Sequence, residues 1–549
     1  MSETRRDFTV GDLSFRLDAD TGMIRVIQFR GHEVLRGIYP AVRGASWETF
    51  QSSLAAPIVD STPEQVTVRL AARVASSAIS LTWEADIEAD ARGTLRYHWQ
   101  GRAETDCETN RTGLCALHAA EAAGTPCTVE HSDGTIRTGR FPDAISPHQP
   151  FRDIRSVTHR FAESGEVLVR FDGEVFEMED QRNWTDASFK TYCRPLDWPK
   201  PYRLPAGTVV TNTITVTIRA DSLAPRTAPA HARQLSSDPV RLRWPKIGFG
   251  LQRPVPAALR ERARQLRPAH VRVETIHDEL ASAVAWAAPE ADALDCELEL
   301  AVLDASTNPP PRGSLPSHCS VFLFNAAGNR AAPDVVAAWR RAGFDLVATG
   351  TRNHFAELNR ARPHTDAGHA MIAFGIDAQV HAFDDLSLVE TLSEHGTVAR
   401  QAASFGNNRP VAVGPIVLGP GGSASDSRLH SDFGAFWTLG SLAQLALSGS
   451  VARTTYFQLY GPDGILRDGV PPSPLENLFP RLAGATLVEH LPCDDPCAAD
   501  VTAFLVHTAT RRELILAHGG EESLELVAPF DIGTVVLPPR AVHFISLAA

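Results

Sequence analysis

The central part of the chain follows a sequence pattern that few folds accommodate. Short apolar runs are separated there by Ala-rich amphipathic stretches, which is the pattern of strand–helix–strand units in a parallel sheet. Eight runs predict strands, at residues 247–251, 270–275, 296–303, 320–325, 344–348, 370–376, 410–418 and 451–460. The intervening helices are predicted at 257–266, 279–286, 334–342, 386–394 and 434–447. Eight such units in roughly 240 residues have the size of a (β/α)₈ TIM barrel.

The segments on either side of this region have a different period. Up to about residue 237, short runs such as 13–17, 65–70 and 209–219 alternate apolar and polar residues, which predicts an antiparallel β-sandwich. Strands return after a helix at 475–482. We therefore predict a multidomain α/β plus all-β protein. Its parts are an N-terminal β-sandwich (1–237), a TIM barrel (238–484) and a small C-terminal β domain (485–549).

The charge balance narrows the choice of partners. The 549 residues include 52 Lys and Arg against 65 Asp and Glu, for a net charge of −13. A negative field disfavours binding to nucleic acid or to anionic membranes. The N-terminus has no apolar signal region, and no apolar run approaches the roughly 20 residues that cross a bilayer. We expect a cytoplasmic protein with no nucleic-acid or membrane partner, and the sequence leaves homo-oligomerisation open.

The eight cysteines are scattered. Cys493 and Cys497 form a C-x-x-x-C pair, but no further ligands follow at the spacing that a metal site needs. We predict neither a metal nor a cofactor.

The second predicted barrel strand carries the most unusual polar pattern. His270, Arg272 and Glu274 alternate with Val271 and Val273. The apolar face suits packing against helices, so the polar face must point into the barrel, with Glu274 nearest the carboxyl end where active sites lie. Arg272 can orient Glu274 as a base or an anchor. The two can equally form a structural ion pair.

A second candidate for acid–base chemistry follows the sixth strand. His381 and Asp384 are three residues apart, and a carboxylate that orients an imidazole is a common general-base arrangement. Asp384 or Asp385 can instead cap the helix that starts near Leu386.

Three polar positions are candidates for substrate contacts at the barrel mouth. Asn325 ends the fourth strand and can donate to a substrate oxygen or cap a turn. Glu357 and Asn359 lie in a polar stretch after the fifth strand, which we interpret as a loop. They can bind hydroxyl groups or act in acid–base chemistry, or they can simply be solvated.

The eighth strand places Tyr456, Gln458 and Tyr460 on one face. Strict alternation turns this face into the barrel. Gln458 is then a candidate substrate contact, and Tyr456 is better explained by packing.

The densest polar motif lies outside the barrel, in residues 177–192. It does not alternate as a plain strand would. It is either a long solvated loop or part of a site. Its candidate substrate-binding members are Asn183, Trp184, Asp186 and Lys190.

Several strings in the chain resemble the D-apionate lactonase family. They are TNRTGL (109–114), VEHSDGT (129–135), FEMEDQRNWTDASFKTY (176–192), FAELNR (355–360) and QVHAFDD (379–385). The resemblance implies hydrolysis of D-apionolactone to D-apionate, with a small sugar lactone as the ligand. It carries over no catalytic role for any single residue.

A lactonase needs a base that activates water and donors that stabilise the oxyanion. Glu274 or His381 can be the base, with Asp384 orienting His381. Arg272 or Asn325 can polarise the carbonyl. No G-x-S-x-G elbow is present for a serine nucleophile.

The main alternative is a glycoside hydrolase with a TIM-barrel catalytic domain, in which Glu274 and Glu357 form the carboxylate pair. The largest clan of such barrels has glutamates after strands four and seven, and this chain has none there. A carbohydrate-binding protein without activity is a third interpretation, which turnover measurements would distinguish.

Overall fold

The computed structural model describes residues 5–220, 222–226, 232–363, 368–419, 426–461, 464–494 and 500–547. The chain divides into two compact units. The first comprises Met1–Arg182 and Ala187–Ala228, and the second comprises Asn183–Asp186 and Pro229–Ala549. The four-residue segment Asn183–Asp186 thus belongs to the second unit, although its sequence neighbours belong to the first.

The first unit is an all-β structure. Its described strands are β1 (Arg5–Val10), β2 (Leu13–Asp18), β3 (Ile24–Phe29), β4 (His32–Arg43), β5 (Ser53–Leu54), β6 (Ile58–Ser61), β7 (Gln65–Ala75), β8 (Ser80–Asp90), β9 (Thr94–Ala103), β10 (Cys107–Thr109), β11 (Arg111–Ala119), β12 (Pro126–His131), β13 (Ile136–Arg140), β14 (Phe151–Phe161), β15 (Gly165–Asp172), β16 (Phe176–Asp180), β17 (Ser188–Cys193), β18 (Tyr202–Leu204) and β19 (Val209–Arg219).

Antiparallel pairing joins most of these strands into one large sheet. The pairing runs from β4 through β11, β17, β16 and β14 to β15, and then through β19, β9 and β8 to β7. Strands from both ends of this series contribute to a single apolar core, which includes Val34 of β4, Val66 of β7, Trp83 and Val169. Alternating burial along β7 and β19 produces this core, as the period-two pattern predicts.

The second unit contains the described strands β20 (Ala232–Gln234), β21 (Val240–Arg241), β22 (Lys246–Gly250), β23 (His270–Ile276), β24 (Glu297–Leu303), β25 (Cys319–Leu323), β26 (Val347–His354), β27 (Met371–Asp377), β28 (Val411–Val417), β29 (Val451–Tyr460), β30 (Gly464–Leu466), β31 (Leu487–His490), β32 (Val501–His507), β33 (Arg512–His518), β34 (Leu524–Ala528), β35 (Gly533–Leu537) and β36 (Ala541–Leu547). Its described α-helices are α1 (Arg260–Gln265), α2 (Leu280–Ala293), α3 (Pro333–Arg341), α4 (Phe355–Arg360), α5 (Asp385–Glu390), α6 (Leu392–Phe405), α7 (Asp432–Leu447) and α8 (Pro474–Ala483).

Strands β22 to β29 form a parallel barrel. Each strand pairs with the next, and β22 also pairs with β29, which closes the ring. Each of the eight predicted strands overlaps one of these, so the TIM-barrel prediction is confirmed. Together with the antiparallel first unit and the C-terminal strands, it confirms the predicted fold class.

The clearest difference from the prediction lies around the fifth barrel strand. The sequence predicts a strand at 344–348 followed by a polar loop, whereas β26 runs from Val347 to His354 and leads directly into α4. The loop interpretation was wrong because Phe355 and Leu358 are buried at helical spacing. The hydroxyls of Thr349 and Thr351 also find hydrogen-bond acceptors inside the structure.

The C-terminal strands form two small sheets within the second unit. One sheet has the strand order β21-β31-β32-β33-β36, and the other has the order β20-β34-β35. Strand β20 lies in the Pro- and Ser-containing passage before the barrel, of which residues 227–231 lie outside the described part. Among the described residues, no helix is both long and apolar enough to span a membrane.

Candidate active site

Strand β23 carries its polar side chains into the barrel. His270 and Arg272 are buried, and Val271 and Val273 are buried on the opposite face. The Nε2 atom of His270 lies 2.9 Å from the hydroxyl of Thr455 on β29, across the interior. The period-two pattern therefore predicts the direction of these side chains correctly.

Two glutamates on β24 anchor the amino-terminal half of the interior. Arg453 donates to Glu299 at 3.1 Å, to Glu297 at 2.5 Å and to the hydroxyl of Ser320 at 2.7 Å. Lys246 donates to the other oxygen of Glu297 at 2.5 Å. Buried charges are tolerated in proteins when they are paired and hydrogen-bonded in this way.

The same series of ion pairs continues to the carboxyl end of β23. Arg272 donates to Glu299 at 3.1 Å and to Glu274 at 3.3 Å. Arg352 at the end of β26 donates twice to the second oxygen of Glu274, from Nε at 3.1 Å and from Nη2 at 2.9 Å. We call Arg272, Glu274, Glu297, Glu299 and Arg453 the interior network. In this network, acidic and basic side chains alternate from the amino-terminal end of the barrel to its carboxyl-terminal mouth.

The environment shifts the pKa values in this network. Burial lowers the pKa of His270 to about 4 against the opposing effect of Glu299, so its ring is neutral at pH 7. Burial raises the pKa of Glu274, but the guanidiniums of Arg272 and Arg352 outweigh it, and the net pKa lies below its ordinary value. Glu274 is therefore an ionised anchor for two arginines.

A second acid–base pair lies after strand β27. The Nδ1 atom of His381 lies 2.6 Å from the Oδ2 atom of Asp186, and both side chains are partly exposed, at 21% and 15%. A carboxylate bonded to Nδ1 fixes the ring orientation and places the lone pair on Nε2. We call this pair the dyad. It has the geometry of an oriented general base.

Aromatic and amide contacts hold the segment that carries Asp186. The indole of Trp184 meets the imidazole of His381 edge-on, with ring centroids 5.3 Å apart. The guanidinium of Arg360 lies 5.1 Å from the centroid of the indole ring. The amide of Asn359 donates to that of Asn183 at 2.9 Å, and both residues are buried. Asn183 and Asn359 thus bind each other, and Trp184 packs against the dyad.

Asp384 has a different partner from the one predicted for it. Its carboxylate accepts from the amide of Ser387 at 3.1 Å and from the hydroxyl of Ser387 at 2.7 Å, which caps α5. The carboxylate that bonds the Nδ1 atom of His381 is that of Asp186. The capping interpretation that the sequence left open therefore describes Asp384.

Glu357 lies in the first turn of α4 and is only partly satisfied. Its Oε2 atom is buried and has no hydrogen-bond partner among the described residues. The Nδ1 atom of His354 lies 3.9 Å from this Oε2 atom. A buried carboxylate oxygen that accepts no hydrogen bond is rare in a folded protein, so Glu357 remains a candidate for binding a hydroxyl donor.

Asn325 takes part in a tight turn after β25. Its Oδ1 atom accepts from the amide of Asn329 at 3.0 Å, and its carbonyl accepts from Gly328. The side-chain Oδ1 atom of Asn325 is thus used by the turn. The residue is exposed, and its side-chain Nδ2 atom donates no hydrogen bond within the described residues.

Strand β29 departs from strict alternation at Phe457, which has a φ of 46°. Thr455 points into the barrel towards His270 and Glu299. Tyr456 points outwards and bonds Ser441 of α7 at 2.7 Å. The expectation that Tyr456 faces the interior is wrong because this irregularity reverses the order of the faces. Gln458 packs beside Gly250 at the end of β22.

Lys190 belongs to the first unit, in β17. It is buried and pairs with Glu179 at 3.4 Å. Gln181 donates to the same oxygen of Glu179 at 2.7 Å. Burial lowers the pKa of Lys190 to about 8, although Glu179 opposes the shift. The motif at 177–192 is thus buried and not a solvated loop. A substrate contact for Lys190 stays a prediction.

Arg352 lies in the polar stretch after the fifth predicted strand, but the sequence pattern does not identify it as a site residue. The signal available was its position between two strand-end polar residues, Thr351 and Asn353. Among the described residues, no group of three or more His, Cys, Asp or Glu side chains is arranged to hold a metal ion. Cys497 of the C-x-x-x-C pair lies outside the described residues.

Solved structures of carbohydrate-active enzymes resemble this chain weakly. A β-arabinopyranosidase aligns over 99% of this chain and 100% of its own, with 9% identity and a TM-score of 0.28. A GH30 endoxylanase from Clostridium papyrosolvens aligns over 58% of this chain and 100% of its own, with 8% identity and a TM-score of 0.39. Likenesses this low do not bear on function.

Sequence similarity is more specific. A D-apionate lactonase from Brucella anthropi is 41% identical over 192 residues, which span 35% of this chain and 32% of the relative. The match therefore covers about a third of that protein's length. The N-terminal domain of D-apionate lactonase matches residues 1–221, and the TIM-barrel domain of D-apionate lactonase matches residues 328–489. Both domain models describe the same family, and the chain belongs to the D-apionate lactonase family.

Proposed function

We propose that the protein hydrolyses D-apionolactone to D-apionate, with the dyad as the general base. The observation that carries this proposal is the 2.6 Å contact between His381 and Asp186 beyond the carboxyl end of β27. Active sites of TIM barrels lie on this side of the barrel. Family membership supports a lactone as the substrate class.

The dyad can perform both halves of the reaction. The Nε2 atom of His381 takes a proton from water as the water oxygen bonds to the lactone carbonyl carbon. The tetrahedral intermediate then collapses, the bond from the carbonyl carbon to the ring oxygen breaks, and His381 returns the proton to that oxygen. Asp186 stabilises the imidazolium between the two steps.

Glu274 is less suited to act as the base. Both of its oxygens accept hydrogen bonds from arginines. Its pKa also lies below the ordinary value, since the two guanidiniums outweigh the effect of burial. We assign Glu274 to holding Arg352 at the barrel mouth. Arg352 and the amide nitrogen of Asn325 are then the donors proposed to stabilise the oxyanion. Arg272 is held between Glu274 and Glu299, deeper in the barrel.

The sugar needs hydrogen-bond acceptors for its hydroxyl groups and an apolar surface for its ring carbons, both near the dyad. The unpartnered oxygen of Glu357 is proposed as one acceptor. The indole of Trp184, which already packs against His381, offers an apolar surface for the ring carbons. Gln458 at the end of β29 is proposed as a further polar contact.

The test is acid release from D-apionolactone at pH 7, measured against the spontaneous rate, with other aldonolactones alongside. The replacement His381→Ala should lower kcat by about 10²- to 10⁴-fold. A matched control is His507→Ala. His507 forms a similar histidine–carboxylate pair with Glu489 at 2.9 Å, but in the C-terminal sheet, and its loss should leave kcat unchanged. Near-normal turnover by a folded His381→Ala protein would contradict the proposal.

The glycosidase alternative is tested in the same experiment. It rests on Glu357, whose buried Oε2 atom accepts no hydrogen bond within the described residues, acting together with Glu274. The glycosidase would be favoured over the lactonase by two results together. The protein would release phenol from an aryl glycoside in a reaction that Glu357→Gln abolishes, and it would release no acid from any of the lactones.

A further inference from the structure

A cavity lies at the opposite end of the barrel from the dyad. It has a volume of about 360 Å³ and is lined by the chain before and within β22, by the turn before β23, and by the end of α8 and the start of β31. These are the amino ends of the barrel strands, whereas TIM-barrel chemistry takes place at the carboxyl ends. The volume falls at the small end of the range for ligand pockets.

The charges that line this cavity are all of one sign. Arg241, Lys246 and Arg267 contribute side chains to it, and no aspartate or glutamate does. Lys246 is paired with Glu297. Arg241 and Arg267 are exposed, and their side chains form no hydrogen bond or ion pair within the described residues. The positive charges along the cavity therefore attract anions.

A buried donor in the wall also lacks an acceptor. Trp244 lines the cavity, and its Nε1 atom is buried with no hydrogen-bond partner in the described structure. The indole ring is fixed edge-on against Phe504, with ring centroids 5.4 Å apart. A buried N–H group without an acceptor is costly. A ligand oxygen would remove that cost.

The rest of the wall is apolar. Leu242, Ile247, Leu482 and Val488 line it and are buried. Thr486 is the hydroxyl-bearing residue of the lining, and its hydroxyl already donates to the carbonyl of His507 at 3.1 Å. A wall with donors and few side-chain acceptors suits an oxyanion on an apolar body better than a polyhydroxylated sugar.

We propose that this cavity is a second ligand site, separate from the lactone site, for a small carboxylate or phosphate carried on an apolar body. Arg241, Arg267 and the indole N–H of Trp244 bind the oxygens of the anion. The leucine, isoleucine and valine side chains contact the apolar body. The site goes beyond the proposed hydrolase activity and does not depend on it.

Phenyl phosphate is a probe that combines both features, and its binding to the full-length chain can be followed by calorimetric titration. We expect saturable binding with a Kd below about 1 mM, at least about tenfold tighter than for inorganic phosphate or for phenol. Arg267→Gln and Arg241→Gln should each weaken binding by about tenfold. Trp244→Phe keeps the ring, removes the donor and should weaken binding by a smaller factor.

Two controls separate this site from others. Arg243 is an exposed arginine of the same segment that does not line the cavity, so Arg243→Gln should bind phenyl phosphate as the unaltered protein does. His381→Ala should also bind it normally, because the dyad lies at the other end of the barrel. Thermal melting of each variant shows that it is folded. Absence of saturable binding, or equal binding by the unaltered protein and by folded Arg241→Gln and Arg267→Gln, would overturn the proposal.

Discussion

The interior network and the dyad are both built from carboxylates that bond basic side chains, yet their surroundings differ. Glu299 is 1% exposed and accepts from Arg272 and Arg453. The side chains of the dyad are 21% and 15% exposed and meet at the barrel mouth. Charge pairing alone therefore does not mark a reactive site. A buried network in which each carboxylate is paired stabilises the fold, whereas an oriented acid–base pair that is partly exposed is available to react with a ligand.

Breaking the interior network should have the largest effect. Arg453→Met removes the donor to Glu299, Glu297 and Ser320 and leaves Glu299 buried with fewer partners. We expect a loss of about 3–5 kcal/mol in the free energy of unfolding. Chemical denaturation measures it. Arg69→Met, which breaks an exposed ion pair with Asp86 at 3.7 Å, should cost less than about 1 kcal/mol. Equal losses in both variants would remove the distinction.

Altering the dyad should change activity and not stability. Asp186→Asn keeps the shape of the side chain but removes the charge that stabilises the imidazolium. We expect kcat for lactone hydrolysis to fall by about 10²-fold, with an unfolding free energy within about 0.5 kcal/mol of the original. Steady-state kinetics and denaturation on the same preparation test both parts. A stable variant with unchanged kcat would remove Asp186 from the mechanism.

The buried histidine of the barrel should make stability depend on pH. Burial lowers the pKa of His270 to about 4, whereas its unfolded value is near 6.5. Between these values the unfolded chain binds the extra proton, so stability is full above pH 6.5 and falls as the pH drops towards 4. The expected loss from His270 is about 2 kcal/mol between pH 7 and 5. The slope should be smaller in His270→Gln, and an identical slope would argue against the neutral, buried ring.

The smallest effect should come from Asp384, which sits close to His381 in sequence but caps α5. Asp384→Ala should cost about 1 kcal/mol of stability, and kcat should remain within about twofold of the original value. Denaturation and kinetics again provide the measurement. A loss of kcat as large as that of Asp186→Asn would restore Asp384 to the orienting role.

The sequence predicts features that depend on local period. The eight barrel strands and the inward face of His270, Arg272 and Glu274 follow from alternation and strand order. The TIM barrel and the family are confirmed, while the division into three domains stays a prediction.

The remaining features depend on contacts that no local pattern encodes. Asp186 and His381 are 195 residues apart in the chain. The outward turn of Tyr456 follows from one residue with a positive φ, at Phe457. The predicted helix at 386–394 ends early, because α6 continues to Phe405. Tertiary packing decides each of these cases.

Chemical rescue of the His381→Ala protein shows whether the imidazole of His381 acts as the base. Imidazole added to this variant should restore a large part of the lost D-apionolactone hydrolysis, because it supplies the missing base beside Asp186. It should not rescue Glu274→Gln, in which the missing group is an anchor for arginines. Hydrolysis by His381→Ala at the original rate, or rescue of Glu274→Gln in its place, would contradict the assignment of the dyad as the base.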